Sequence, residues 1–195
     1  MIAAAALFNG GTVNFREKFD PAQVGAVFAE KKINFVVMFP TMYQLVLDHP
    51  AFDPKDFASL DTINFSGGTI SRELLLRLRQ LGAGDVRTTF GSTESCVGAI
   101  YSEADLDPDI LAISVGKPQP GEARVVNKDG EICKVGDIGE FQVPKAYCMV
   151  GYFNNPEATA AAFTEDGWLK SGDLVEVLPD GNLRFSARKT FSRYA

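Results

Sequence analysis

The sequence predicts an α/β fold in two parts. A doubly wound, mostly parallel sheet subdomain covers residues 1–112, and an antiparallel β-barrel-like subdomain covers residues 113–195. Three observations carry this. Strand-like apolar runs alternate with runs of helical spacing through the first half, joined by short loops, and repeated β-α-β units of this kind build parallel sheets faced by helices. Around Asp105–Pro120 the texture changes to short β-like runs broken by turn signals. Within that second part, Pro179-Asp180-Gly181 stands between Leu174–Leu178 and Asn182–Phe185, a strong hairpin signal.

Met1–Phe8 is apolar, carries no basic leader and stops at Asn9-Gly10-Gly11. It is too short to span a membrane and reads as the latter part of a buried helix closed by Gly10 or Gly11. A helix beginning there without a cap suggests a chain cut from something larger. Thr12–Phe15 is a short strand candidate. Asp20 is placed to cap a helix that Pro21 opens, with Val24, Val27 and Phe28 on one face. Ile33–Phe39 is a continuous apolar run with one asparagine, which predicts a strand buried on both faces, stopped by Pro40. Thr41–His49 returns to helical spacing. Thr62–Phe65 reads as a strand ended by Gly67-Gly68, and Ser71 as the cap of a helix over Arg72–Leu81 with a Leu74, Leu75, Leu78 stripe. Val86–Phe90 is the next strand, stopping at Gly91.

In the second part, Glu122–Val126 leads into the turn Asn127-Lys128-Asp129-Gly130, and Glu140–Val143 follows Gly136-Asp137-Ile138-Gly139. One helix interrupts: Asn155 caps it, Pro156 opens it and Ala158–Phe163 fills it.

The 195 residues allow one large domain or two small ones, and 46% hydrophobic with 23% charged residues is ordinary for a globular chain. A net charge of −6 argues against a nucleic-acid backbone binder, which needs a basic stripe. It leaves room for a nucleotide site, because backbone N–H groups and a bound metal hold phosphates locally. Cys96, Cys133 and Cys148 are odd in number and widely spaced; they fit a reducing cytoplasm better than a disulfide framework, show no zinc spacing and read as small buried hydrophobes. His49, beside Pro50, reads as a surface or helix-end residue.

Two strings carry the chemistry: Phe90-Gly91-Ser92-Thr93-Glu94 and Gly167-Trp168-Leu169-Lys170-Ser171-Gly172-Asp173. Strands ending at Phe65 and Phe90 are each followed closely by glycine, and ligands in open α/β sheets bind beyond the carboxyl ends of strands. Gly67, Gly68 and Gly91 therefore read either as walls of one crevice or as tight turns with no ligand. The Thr93 hydroxyl can hold a phosphate oxygen and the Glu94 carboxylate can ligate Mg²⁺; alternatively Thr93 caps a helix and Glu94 sits in its first turn. Asp173, at a Gly-Asp corner, can accept two bonds from a ribose diol or serve only the turn. Arg188 can reach the same ribose or a phosphate, or remain a solvated arginine.

Taken in order, the motifs make the chain recognisable nearly end to end. It resembles the adenylate-forming superfamily of acyl-CoA synthetases, firefly-type luciferases and peptide-synthetase adenylation domains. Phe39-Pro40-Thr41-Met42-Tyr43 is similar to that family's Pro-Thr segment, Ser66-Gly67-Gly68-Thr69 to its Ser-Gly-Gly-Ala turn, and Phe90–Glu94 to its Tyr-Gly-x-Thr-Glu motif. Ser114-Val115-Gly116-Lys117-Pro118, Gly136–Glu140 and Gly151–Thr159 resemble three further family segments. Gly167–Asp173 resembles Gly-Trp-x-x-Ser/Thr-Gly-Asp, and Arg188-Lys189 stands where Gly-Arg-Lys is expected.

The resemblance implies roles. Gly67, Gly68 and Thr69 would line the adenine and acyl crevice, with Gly91 beside it. Phe90 would stack on or edge the adenine, Thr93 would bind the adenylate phosphate, and Glu94 would hold Mg²⁺, Thr93 and Glu94 being the catalytic pair. Asp173 and Arg188 would hold the ribose hydroxyls. The implied reaction is ATP-dependent ligation of a carboxylic acid to a thiol: the carboxylate attacks the α-phosphorus of ATP, pyrophosphate leaves, and a thiol, CoA as co-substrate, displaces AMP. Tyr43 and Val97 hint at an apolar acid, fatty or aromatic, and serve equally as core residues. Departures from the pattern are Ala187 in place of the glycine before Arg188, a tail after Lys189 unlike the family's hinge, and no phosphate-gripping loop or C-terminal lysine domain. The expectation is a chain that does not form acyl-AMP alone, that self-associates through an uncovered apolar surface, and that neither binds nucleic acid nor inserts in a membrane. A non-catalytic nucleotide-binding or scaffold remnant of the same fold is the alternative.

Overall fold

Local chemistry sets where the helices begin and end in the computed structural model, which describes residues 2–81, 84–96, 100–104 and 106–189. Helix α1 (Ile2–Phe8) closes with the Gly11 N–H donating to the Ala6 carbonyl at 2.8 Å. Helix α2 (Pro21–Lys31) opens where the Asp20 carboxylate accepts from the Ala22 N–H at 3.0 Å. Strand β1 (Phe35–Met38) ends at Phe39, and Pro40 starts α3 (Pro40–Leu47). A 3-10 turn over Pro54–Phe57 leads to β2 (Thr62–Ser66), and Ser71 Oγ, accepting from Leu74 N–H at 3.1 Å, caps α4 (Arg72–Gln80). Each such cap contributes about 1 kcal/mol. Then follow β3 (Asp85–Phe90), the two-residue β4 (Ile100–Tyr101) and α5 (Pro108–Ile113).

The chain divides into two compact units, residues 1–87 with 104–112, and residues 88–103 with 113–195. In the first, β1 pairs parallel with β2, Phe35 opposite Thr62 through Met38 opposite Phe65. The strand order is β1-β2-β3-β4, and the antiparallel pairing of β3 with β4, Thr89 opposite Tyr101 and Phe90 opposite Ile100, falls within the second unit. The core of the first unit gathers Tyr43, Val46, Phe57, Ile63, Leu75, Leu78 and Leu111, with Phe28 and Phe52 set edge-on to Phe57. The predicted leucine stripe is its α4 contribution. Two expectations fail here. No strand forms over residues 12–15. Nor is β1 buried on both faces: Phe35 is 44% exposed and only Met38 is buried, β1 being the edge strand of its sheet among the described residues.

The second unit holds β5 (Arg124–Val126), β6 (Ile138–Pro144), α6 (Pro156–Ala162), β7 (Trp168–Val177) and β8 (Leu183–Arg188). These strands form an antiparallel sheet in the order β5-β6-β7-β8, open rather than closed into a barrel among the described residues. Ile100, Phe141, Val143, Leu169, Val175 and Leu183 form its core. Asn155 caps α6 by accepting from Ala158 N–H at 2.9 Å. The Gly-Asp corner predicted at residues 172–173 lies instead inside β7. Between paired positions, β6 advances from Glu140 to Gln142 while β7 runs from Lys170 to Leu174. Ser171-Gly172-Asp173 thus stand opposite Phe141 alone and bulge from the β6–β7 ladder, with Gly172 left-handed at φ 77°. Among the described residues no helix is long and apolar enough to cross a membrane.

Candidate functional site

The second unit brings together residues that lie far apart in the chain. β3 ends at Phe90, and Ser92–Cys96 form a turn rather than the helix that a capping threonine would start. Ser92 and Ser95 staple it: Ser92 N–H donates to Ser95 Oγ at 2.9 Å, and Ser95 N–H to Ser92 Oγ at 3.3 Å. Thr93 is exposed on this turn, and its carbonyl accepts from Cys96 N–H at 3.1 Å.

Glu94 is clasped from two sides by residues 149–152. Its carbonyl accepts from Met149 N–H at 2.7 Å, and its Oε1 accepts from the Tyr152 hydroxyl at 2.8 Å. Desolvation pushes its carboxyl pKa up, but hydrogen bonds from its own N–H, Tyr152 and Ser92, together with the charge of Arg188, outweigh that and hold it below the ordinary glutamate value. Glu94 is therefore an ionised oxygen donor at neutral pH.

Asp173, carried on the β7 bulge, lies opposite Arg188 in the β7–β8 register, and Arg188 Nη1 donates to its Oδ1 at 3.1 Å. The carboxylate is buried, 7% exposed, while the guanidinium is 61% exposed. Burial raises the Asp173 pKa; Arg188 opposes this, and the negative charges of Glu94 and Glu140 reinforce it. The result is a carboxylate whose nearest cation stands at the solvent side, where an incoming group with two O–H donors can compete for it.

Phe90 is half-buried, its ring 5.3 Å edge-on to Phe141 and 6.5 Å from Phe185. Gly91 follows, exposed. In the first unit, Gly67, Gly68 and Thr69 are exposed beyond the carboxyl end of β2. Gly67 has φ 75°, and a Cβ there would lie 2.3 Å from the Phe39 ring, so no other residue fits without moving that ring. The Gly-Gly turn thus sits against Phe39-Pro40, at the carboxyl ends of two parallel strands. Tyr43 is wholly enclosed in the core of that unit. Val97 lies outside the described residues. His49 lies just past α3 and its cap Asp48, its Nδ1 accepting from Ala51 N–H at 3.1 Å.

Sequence reasoning gave no role to Tyr152, Glu140 or Lys189. Tyr152 lies in the Gly151–Thr159 segment that carries the family resemblance, but it is 58 residues from Glu94, and nothing local pairs the two. Buried Glu140 could have been suspected, since a charged residue inside an apolar strand needs a partner.

The donor set fits the groups that the motifs imply. Among the described residues no three His, Cys, Asp or Glu side chains are grouped to hold a metal ion. A single ionised carboxylate, Glu94, suits Mg²⁺ ligated mainly by phosphate oxygens. A buried carboxylate backed by an arginine suits a cis-diol.

The sequence profile of the AMP-binding enzyme family matches residues 1–153. A feruloyl-CoA synthase from Amycolatopsis is 32% identical over 185 residues, 93% of this chain and 36% of that protein. A medium/long-chain-fatty-acid–CoA ligase from Mycobacterium tuberculosis is 31% identical over 187 residues, 92% of this chain and 32% of its own length. Among solved structures, O-succinylbenzoate coenzyme A synthetase from Bacillus subtilis in complex with AMP superposes with a TM-score of 0.80 at 27% identity, over 97% of this chain and 38% of that one. The amide bond synthetase McbA from Marinactinospora thermotolerans gives a TM-score of 0.82 at 27% identity, over 96% and 38%. The chain thus spans about a third of the length of the relatives it matches.

Proposed function

The chain belongs to the AMP-binding enzyme family, and from that premise we propose that it supplies the adenosine side of an ATP-dependent acid–thiol ligase. The observation that carries this is the buried Asp173 carboxylate on its bulge, paired with Arg188. Asp173 accepts from the ribose hydroxyls and Arg188 orients them. The Thr93 hydroxyl donates to the α-phosphate, and Glu94, kept ionised against desolvation by hydrogen bonds from its own N–H, Tyr152 and Ser92, would hold Mg²⁺. When bound, that ion would offset charge developing on the phosphates. Phe90 with Gly91 edges the base; for Gly67, Gly68 and Thr69 of the first unit the adenine- and acyl-lining role rests on the family motif alone.

The reaction assigned to the parent enzyme is attack of a carboxylate on the α-phosphorus of ATP with loss of pyrophosphate, then transfer of the acyl group to CoA. Because its nucleophile is already charged, positioning and charge stabilisation do most of the work. The relatives' names support a fatty or aromatic acid. The three cysteines are unpaired, which supports a reducing, cytoplasmic compartment. Since the chain spans about a third of its relatives' length, these residues by themselves are not sufficient to form acyl-AMP.

The test is calorimetric titration with AMP and with Mg-ATP, using Asp173→Ala as control. Loss of a charge-assisted bond pair should weaken AMP by roughly tenfold or more. Unchanged AMP affinity in the variant removes Asp173 from the site. Acid-dependent pyrophosphate release by the pure chain would refute the insufficiency.

A further inference from the structure

Glu140 sits on neither motif string, yet it contacts both segments that carry the diol pair. Its side chain is 8% exposed on β6. Oε1 accepts from Gly172 N–H at 3.2 Å, immediately before Asp173. Oε2 faces Lys189 Nζ at 3.2 Å, immediately after Arg188, and accepts from Gln142 Nε2 at 3.4 Å. The ring closes through the backbone, where Lys189 N–H donates to the Gly172 carbonyl at 2.7 Å. Gly172, the left-handed residue of the bulge, is thereby held at both its N–H and its C=O. The Lys189–Gly172 bond extends the β7–β8 ladder one step past Asp173 opposite Arg188, whereas the Glu140 contact with Gly172 N–H is a side-chain bond that pairs no strands. A buried carboxylate is costly unless paired and hydrogen-bonded. Here its partners are the groups that aim Asp173 and Arg188.

Resting on the proposed adenosine site, we propose that Glu140 and Lys189 are positioning residues: they fix the Ser171–Asp173 bulge so that the Asp173 carboxylate and the Arg188 guanidinium present one diol-binding geometry. Glu140 does not touch the nucleotide. It sets how sharply the site distinguishes a ribose from a sugar lacking its hydroxyls.

The experiment compares AMP with 2′,3′-dideoxy-AMP by calorimetry on the full chain. The unaltered chain should favour AMP by roughly tenfold to a hundredfold, the effect of two hydrogen bonds. Glu140→Ala should lower that preference to about threefold or less while leaving the dideoxy affinity within about twofold. A general loss of structure would instead weaken both ligands together. Glu140→Gln keeps an acceptor for Gly172 N–H but loses the ion pair and the weak bond from Gln142, and Lys189→Met keeps the main-chain bond and removes only the ion pair; both carry the test if Glu140→Ala fails to fold. Either should reduce the preference by roughly threefold to tenfold. Full preference retained in folded Glu140 and Lys189 variants overturns the positioning role and leaves the adenosine site standing. An unaltered chain with no preference overturns the adenosine reading, and the positioning role with it.

Discussion

Replacing Tyr43 with phenylalanine isolates one hydroxyl and decides between two uses of the residue. The ring is fully enclosed in the first unit. Its hydroxyl donates to the Asn64 carbonyl on β2 at 2.7 Å and lies 3.4 Å from the Val36 carbonyl on β1. Those carbonyls belong to adjacent parallel strands, so α3 reaches down to both. Phenylalanine keeps the ring and removes the bond, which should cost about 1 kcal/mol. With a urea slope of about 2 kcal/mol per molar, the midpoint falls by ~0.5 M. A second signature comes from pH. Burial pushes the Tyr43 phenol far above its ordinary value, partly offset by a hydrogen bond with the Met38 main chain. A group whose folded pKa is raised stabilises fully below its unfolded pKa of about 10 and loses that contribution as pH rises further. The unaltered chain should therefore lose about 1.4 kcal/mol per pH unit above pH ~10 from this phenol alone, and Tyr43→Phe should remove that component. The assay is urea unfolding followed by circular dichroism at neutral and alkaline pH. An unshifted midpoint with an unchanged alkaline slope refutes the core assignment. A variant of normal stability with altered acid selectivity would return Tyr43 to the substrate pocket.

Other substitutions test the second unit and the exposed surface of the first. Arg124 stacks 4.5 Å over Trp168, the single tryptophan, and makes two bonds to Asp166 at 2.6 and 3.1 Å. Arg124→Ala should cost ~0.5–1 kcal/mol from the stacking and shift the tryptophan emission; unchanged emission counts against the stack. Hydrogen bonding from Arg124, with help from Thr164, lowers the Asp166 carboxyl to about 2, so its stabilisation holds above the unfolded value and fades as pH falls toward 2. Acid unfolding should begin at higher pH in Arg124→Ala. Asp173 behaves oppositely: its pKa is raised, chiefly by burial, so ionising it at neutral pH opposes folding. Asp173→Asn should raise the melting temperature at pH 7 while weakening AMP, and a lower melting temperature would contradict the sign. Leu7, Phe8 and Phe15 are 58%, 92% and 77% exposed in the first unit, which predicts self-association at high concentration. Light scattering should show it diminished in Phe8→Ser/Phe15→Ser; a monomer throughout would dispose of the idea.

What the sequence made legible was local or periodic. Asp20, Ser71 and Asn155 mark helix starts because a cap reaches only two or three residues. The Leu74, Leu75, Leu78 stripe marks a buried face because helical spacing alone decides it. The edge position of β1 was not legible, since an apolar run does not say how many neighbours its strand will have. Nor was the bulge at Ser171–Asp173, because register is a property of two strands and the motif lies on one. Glu94 and Asp173 could be singled out as carboxylates beside glycines. Their supports, Tyr152 and Glu140, come from distant segments, and only the folded sheet brings them near.

The register of β8 has a further consequence. Only Leu183 is buried on this strand; the five residues after it are exposed. A slip of two residues would return every side chain to its own face, so burial alone scarcely opposes it. Charge does oppose it. Arg184 pairs with Glu176, Arg188 with Asp173 and Lys189 with Glu140, and a two-residue slip separates all three at once. These cations therefore act as a checksum on strand alignment, and one of them, Arg188, is also the cation proposed to address the ribose. Salt that screens them should first raise the fraction of chains with a misaligned last strand, before the rest of the sheet is disturbed.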